Sequence, residues 1–227
     1  PSYAGQAVCM SYPLIGNYGI CRQDCESRRP WPDGFIVREL SRMPSNFRSD
    51  CSIQEFLQEY GVPGIAGIDT RALTKILREK GTMNGMITTR EYDSLDEILP
   101  RLAAYTTGKV VEKVTCEKKY EVKGVTELAQ NGPLSGSAVF NKEAYLSGVK
   151  EPRPSLVREL NGAGKRVALL DLGAKENIAR SLAMRGCDVT VYPAGTSAEE
   201  ILADRPDGIL LSNGPGDPKE SGRTIEQ

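Results

Sequence analysis

The stretch Asn213-Gly-Pro-Gly-Asp-Pro218 is the part of this sequence best suited to chemistry. Two glycines flank a proline, with a side-chain amide before them and a carboxylate after. Glycine lets a backbone bend sharply and approach a ligand closely, and proline fixes the turn between. Backbone N–H groups exposed by such a turn can bind a carboxylate or hold an oxyanion. From the loop alone, a ligand wall and a bare tight turn stand even. It is not a phosphate-binding P-loop, because no Gly-Lys-Ser/Thr follows. Nor is there a dinucleotide fingerprint, since the turn Leu172-Gly-Ala-Lys-Glu176 holds one glycine.

Other residues offer weaker chemistry. Thr70-Arg71 stands at a helix start, where an anion could be met, but a cap and a solvated arginine explain it better. Asn17, Asn46 and Arg48 sit in Gly-, Pro- and Ser-rich loops and suit interface or turn hydrogen bonds alike. Trp31, between two prolines, reads more as a packed loop anchor than as a contact residue. The six cysteines show no CxxC spacing, and Cys21 and Cys25 are the closest pair. That argues against a zinc site, and a chain of this size needs no disulfide framework. Reduced thiols in a cytoplasmic protein are expected. Cys187 follows Gly186 at a helix exit, which is not a nucleophile elbow. The sequence has no histidine, so it holds no Ser-His-Asp triad, no Cys-His pair and no His-ligated metal.

The elements that must position the Asn213 loop are legible. Arg166–Leu172 reads as a buried strand, 175–185 as a helix, Asp188–Tyr192 as a strand and Gly208–Ser212 as another. Ser197 and Glu200 form a capping box for the short helix before that last strand. The β-α-β-α-β order predicts a parallel sheet, whose ligands bind at the carboxyl ends of the strands. Three loops reach that edge: Gly173-Ala174, Pro193–Thr196 and Asn213–Pro218. With only three strands, one face and one edge would stay open and expose apolar surface. A further helix is expected to start at Gly222.

The N-terminal part mixes short strands and helices. Gly34–Leu40, Gly64–Ile68 and Asn84–Thr89 read as strands. Ser52 with Glu55 caps a helix carrying Ile53, Phe56, Leu57 and Tyr60. Asp69 or Thr70 caps a helix with Leu73, Ile76 and Leu77 on one face, ended by Gly81. Ser94 with Glu97 opens a helix through about Ala104. The pattern weakens over 124–164, where Asn131-Gly-Pro, Ser135-Gly-Ser and Pro152-Arg-Pro154 punctuate the chain. The expected organisation is therefore a mixed α/β domain over 1–123, an irregular connection over 124–164 and a partial α/β domain over 165–227.

Composition narrows the function classes. The 227 residues carry 29 Lys and Arg against 30 Asp and Glu, a net charge of −1. That balance argues against a nucleic-acid binder. Hydrophobic residues make up 39% and charged residues 26%, as in an ordinary globular protein. No apolar run approaches the roughly 18–20 residues that span a bilayer, so no membrane partner is expected.

Several segments together resemble the small, glutaminase subunit of carbamoyl phosphate synthetase. They are Pro1-Ser-Tyr3, Ser11-Tyr-Pro-Leu-Ile-Gly-Asn-Tyr-Gly19, Gly34–Leu40, Ser45-Asn-Phe-Arg48, Gly67-Ile-Asp-Thr-Arg-Ala-Leu-Thr74, Leu77-Arg-Glu-Lys-Gly81, Leu170–Ile178 and Leu211–Pro218. They run in the family's order across most of the chain. The Gly67–Thr74 block is specific to this subunit, whereas other class I glutamine amidotransferases carry loops like Asn213–Pro218. The resemblance implies an N-terminal domain that docks the large subunit and the first β-α-β-α-β part of a class I amidotransferase. It implies glutamine as substrate, with ammonia passed to the large subunit, where ATP and Mg serve carbamoyl phosphate synthesis for pyrimidines and arginine. No cofactor is implied in this chain. Ser2, Gly214 and Gly216 match positions that contact glutamine, and Gly214 is also implied as a backbone oxyanion donor.

The departures matter as much. The family's nucleophile lies in a Gly-x-Cys-x-Gly elbow on a later strand, and the sequence stops before it. The family segment before Pro1 is absent too, so the chain reads as a piece cut from a longer protein at both ends. No catalytic side chain is therefore expected here, and these residues alone should not hydrolyse glutamine. The alternatives are a non-catalytic docking module for a synthetase and another class I amidotransferase, such as an anthranilate- or GMP-synthase type. The Gly67–Thr74 block argues against the latter. An unrelated nucleotide-binding α/β domain rests on strand order alone.

Overall fold

A computed structural model describes residues 1–125 and 160–216. The chain divides into two compact units, Pro1–Val110 and Val111–Gln227.

The first unit contains five short strands: β1 (Ala7–Cys9), β2 (Leu14–Ile15), β3 (Gly34–Ile36), β4 (Glu39–Leu40) and β5 (Gly64–Ile65). They form a parallel sheet in the order β1-β3-β5 and a separate parallel pair, β2 with β4. The single strand expected over 34–40 thus splits, because the chain changes sheets after Ile36. Val37, at the crossing, is buried and donates its N–H to Ile65 O at 2.9 Å. Helix α1 (Ile53–Glu59) starts on the expected reciprocal box: Glu55 N–H donates to Ser52 Oγ at 3.2 Å, and Ser52 N–H donates to the Glu55 carboxylate at 2.7 Å. Helix α2 (Thr70–Lys80) is capped by Asp69, whose Oδ1 accepts from Ala72 N–H at 3.0 Å.

Two expectations fail here for physical reasons. Residues 84–89 form no strand. The Asn84 amide instead donates to Leu102 O at 2.7 Å and Tyr105 O at 3.0 Å, at the end of α3 (Leu99–Ala104). The helix expected from Ser94 divides into a 3-10 turn, Leu95–Glu97, followed by α3. Pro100 has no N–H to continue a helix from the preceding turn and suits a first-turn position. The Ser94 hydroxyl accordingly accepts from Asp96 N–H, not from Glu97.

Helix α4 (Val110–Val114) leads into the second unit, which contains β6 (Tyr120–Val122), β7 (Arg166–Asp171), α5 (Glu176–Ala183), β8 (Asp188–Pro193), α6 (Ala198–Ala203) and β9 (Gly208–Leu211). The sheet order is β6-β8-β7-β9. β7 is parallel to β8 and β9, in agreement with the expected β-α-β-α-β unit. β6, inside the 1–123 stretch, pairs antiparallel with β8 through Tyr120↔Val191 and Val122↔Val189.

Both described ends of the expected connection are held in this unit. Gly124 N–H donates to Asp188 Oδ1 at 3.0 Å, and Gly162 N–H donates to Arg185 O at 2.9 Å. Most of the connection, 126–159, lies outside the described residues, as do Asp217, Pro218 and the helix expected from Gly222.

Strand alternation sorts the core into two faces. Leu169, Val189 and Val191 pack with Ala179 and Cys187 on the α5 side. Ala168, Leu170 and Tyr192 pack with Ile201 of α6 on the other. Helix α6 starts at Ser197, whose Oγ accepts from Glu200 N–H at 3.2 Å. Among the described residues β9 is the last strand of the sheet, and Ile209, Leu210 and Leu211 are exposed there, in line with the open edge expected.

Candidate functional site

Among the three parallel strands, β7 comes first and lies between β8 and β9. The strand order therefore reverses at β7, and an α/β sheet binds ligands at the carboxyl edge where this happens. The loops after β7 and β9 meet at that edge. An added Cβ on Gly214 would stand 2.3 Å from Leu172 O, so the two backbones touch where only glycine fits. Gly173 has φ +117°, and a Cβ there would meet Pro215 Cδ and Val114 Cγ2 at 2.9 Å. Gly216 has φ +83°, a left-handed conformation that favours glycine. Pro215 is buried while Gly214 and Gly216 are exposed, so the loop pivots on the proline and presents both glycines outward.

Asp171, at the last position of β7, holds this edge together. Its Oδ1 accepts from Gly173 N–H at 2.9 Å and Ala174 N–H at 2.6 Å, and its Oδ2 accepts from Cys116 N–H at 2.7 Å. Ser212 Oγ accepts from Leu172 N–H at 2.9 Å and donates to Asn213 O at 2.7 Å, joining the two loops. Thr115 Oγ1 donates to Asp171 O at 2.6 Å and accepts from Ala194 N–H at 2.8 Å, tying the ends of β7 and β8. Sequence reasoning missed all three side chains. The available signal was an Asp at a strand end two residues before a glycine, the pattern of an Asx turn.

The Cys116 thiol is pushed up from 9.0 to about 11, first by burial and then by the neighbouring Asp171 charge. It is no activated nucleophile, because activation requires a lowered value. The folded state holds this proton more tightly than the unfolded chain does. Its contribution to stability is complete below pH 9 and is lost as pH rises through about 11. The urea midpoint of the second unit should fall across that window, and Cys116→Ser should flatten this part of the fall. A profile unchanged by the substitution would refute the assignment.

The other candidates have local partners. Ser2 lies in the turn that leads to buried Ala4, which is bridged to Pro32; it belongs to the first unit, and Gly214 and Gly216 belong to the second. Thr70 is 1% exposed and packed, while Arg71 is exposed beside it. Trp31 donates from Nε1 to Ser27 Oγ at 2.6 Å, with Arg28 and Arg29 over its ring, which fits a loop anchor. Asn46 donates to Tyr18 O at 3.2 Å and accepts from Arg48 N–H at 3.1 Å, Arg48 pairs with Asp24 at 2.8 Å, and Asn17 O accepts from Ser45 N–H at 2.9 Å. Only the Arg48 N–H bond to Asn46 is a turn bond; the others join loops far apart in sequence within the first unit.

A cavity of about 170 Å³ opens on the α6 face, lined by Lys119, Glu121, Arg166, Thr190, Tyr192 and Asp204 among others. Its charged side chains have partners: Lys119 pairs with Asp204, Glu121 pairs with Lys123 at 3.1 Å, and Arg166 donates to Asp204 O and Arg205 O at 3.2 and 2.6 Å. The Tyr192 hydroxyl bonds to Asp204 and is pushed up to about 12, chiefly by burial. Among the described residues no cluster of Cys, Asp or Glu is placed to hold a metal ion, and no helix is long and apolar enough to cross a membrane.

Comparison with known proteins finds two matching segments. Residues 1–87 match the family described as carbamoyl-phosphate synthase small chain, CPSase domain, and residues 168–227 match glutamine amidotransferase class-I. The carbamoyl phosphate synthase small chain of Clostridium perfringens is 40% identical over 227 residues, all of this chain and 54% of the relative. That of Fusobacterium nucleatum is 42% identical over 226 residues, covering 52% of it, and that of Bacillus caldolyticus is 41% identical, also covering 52%. The chain spans about half the length of the curated relatives it matches. Both segments match in order, and this identity runs along the whole sequence, so the chain matches the carbamoyl-phosphate synthase small-chain family throughout its length.

Proposed function

We propose that these residues serve the glutaminase subunit of a carbamoyl phosphate synthetase. In this reading the subunit hydrolyses glutamine in the cytoplasm and delivers ammonia to a large subunit. There ATP and Mg support carbamoyl phosphate synthesis for arginine and pyrimidines. The first unit, within 1–123, docks the large subunit, 124–164 connect, and 165–227, with β6 added to their sheet, begin the amidotransferase domain. One observation carries the reading: Gly214 is seated at the strand-order reversal, outward-facing and too close to Leu172 O for any side chain. A backbone held that way is preorganised to donate an N–H to developing negative charge.

The resemblance implies the chemistry that this placement would serve. A thiolate adds to the side-chain amide carbon of glutamine, and the negative charge moves to the amide oxygen. The Gly214 N–H donates to that oxygen in the tetrahedral species; a proton then reaches the amide nitrogen, the C–N bond breaks to release ammonia, and water hydrolyses the thioester left behind to glutamate and free thiol. Gly216 lines the same loop, and the resemblance extends glutamine contact to Ser2. With no histidine in these 227 residues, they offer no imidazole base and contribute the wall and not the nucleophile. The test is reconstitution of the full-length small chain with a large chain. Glutamine should support carbamoyl phosphate formation from bicarbonate and ATP. Synthesis from free ammonia but never from glutamine would refute the reading.

A further inference from the structure

We propose that Asp171 is the positioning residue for the Gly214 loop; this rests on the proposed glutamine reading. Asp171 is 8% exposed, and its carboxylate accepts from three backbone N–H groups, of Gly173, Ala174 and Cys116. It faces backbone and acts through it. The sheet ladder of β7 ends at Asp171, so nothing in the strand pairing fixes the loop beyond. The Asp171 side chain takes over that task. By holding Gly173 and Ala174 it fixes Leu172, whose N–H anchors Ser212 and whose carbonyl is the surface against which Gly214 is seated. A shift in the first loop therefore moves the proposed oxyanion donor.

Thr115 offers a matched control. It binds the same strand end, at Asp171 O, and reaches β8 through Ala194 N–H, without bonding residues 172–174 or 212–214 through its hydroxyl. Loss of its hydroxyl weakens the edge but leaves the loop pair alone. Asp171→Ala removes both acceptor oxygens and with them all three bonds. Asp171→Asn keeps an oxygen for Gly173 and Ala174 but turns an NH2 toward the Cys116 N–H, two donors face to face.

The experiment measures glutamine hydrolysis by the full-length small chain with its large chain, for wild type and the three variants, alongside synthesis from free ammonia. A misplacement near 1 Å is worth about 100-fold, so Asp171→Ala should lose about that factor in kcat, with a smaller rise in KM for glutamine. Asp171→Asn, the variant that decides if Asp171→Ala does not fold, should lose about 10-fold in kcat, since two of its three bonds survive. Thr115→Val should keep the wild-type kcat at a lower melting temperature, and ammonia-dependent synthesis should persist in every folded variant. Wild-type kcat in either Asp171 variant, or an equal kcat loss in Thr115→Val, would overturn the inference alone. A wild-type protein without glutaminase would overturn the functional reading and this inference together.

Discussion

Gly214→Ala in the full-length small chain should cost about 100-fold or more in kcat for glutamine hydrolysis, the scale of a lost oxyanion donor or a 1 Å misplacement. The cause is steric. The new Cβ would lie 2.3 Å from Leu172 O and 3.2 Å from Leu172 C, and both are backbone atoms. No flexible side chain can swing aside, so one of the two loops must move. Leu172 is held by Ser212 on one side and by the Asp171-bound residues on the other, which leaves the Asn213–Gly216 loop to yield. Gly195 supplies the control, because it lies in the β8–α6 loop at the same edge and an added Cβ there meets nothing within 4 Å. Steady-state kinetics of Gly195→Ala should match wild type. Equal kinetics for the two alanine variants would refute the packing account.

The second large effect concerns stability. Leu169 is 1% exposed in the middle of β7 and packs against Val189, Val191 and Ala179. Leu169→Ala removes buried methyl groups and leaves a cavity between sheet and α5, at a cost of about 2–5 kcal/mol. That is a large fraction of the roughly 5–15 kcal/mol that holds a typical domain folded. Urea unfolding followed by a probe in the second unit should show a greatly lowered midpoint. Leu202→Ala, at 58% exposure on α6, should change stability by less than about 0.5 kcal/mol. A Leu169→Ala midpoint near wild type would mean that the α5 face is not the core of this unit.

What the sequence reveals depends on how local its causes are. The boxes at Ser52 and Ser197 are read correctly because a cap needs only residues three apart. β7 and β8 are read correctly because strands covered on two faces show as apolar runs, and β9 carries such a run over Gly208–Leu211 although its side chains are exposed among the described residues. β1 and β2 escape notice because three and two residues carry no period. Asn84–Thr89 has strand-like composition, but Asn84 is committed to carbonyls at Leu102 and Tyr105, distant in sequence. The Pro100 break was legible and outweighed by the Ser94–Glu97 spacing. At the site, the glycines of the Asn213 loop announce a close approach. What they approach, Leu172 O, depends on β9 pairing with β7, which no local pattern specifies. Asp171 is hidden for the same reason: one of its three partners, Cys116, is 55 residues away.

On the proposed reading these residues form the glutamine-binding wall of a small chain and carry none of its nucleophilic machinery. Ammonia release from glutamine tests it most directly, measured for the 227-residue chain alone and for the full-length small chain with its large chain. The account predicts no release above background from the first and sustained release from the second. Ammonia well above background from the 227 residues alone would contradict it, and so would a complete, folded complex that leaves glutamine untouched.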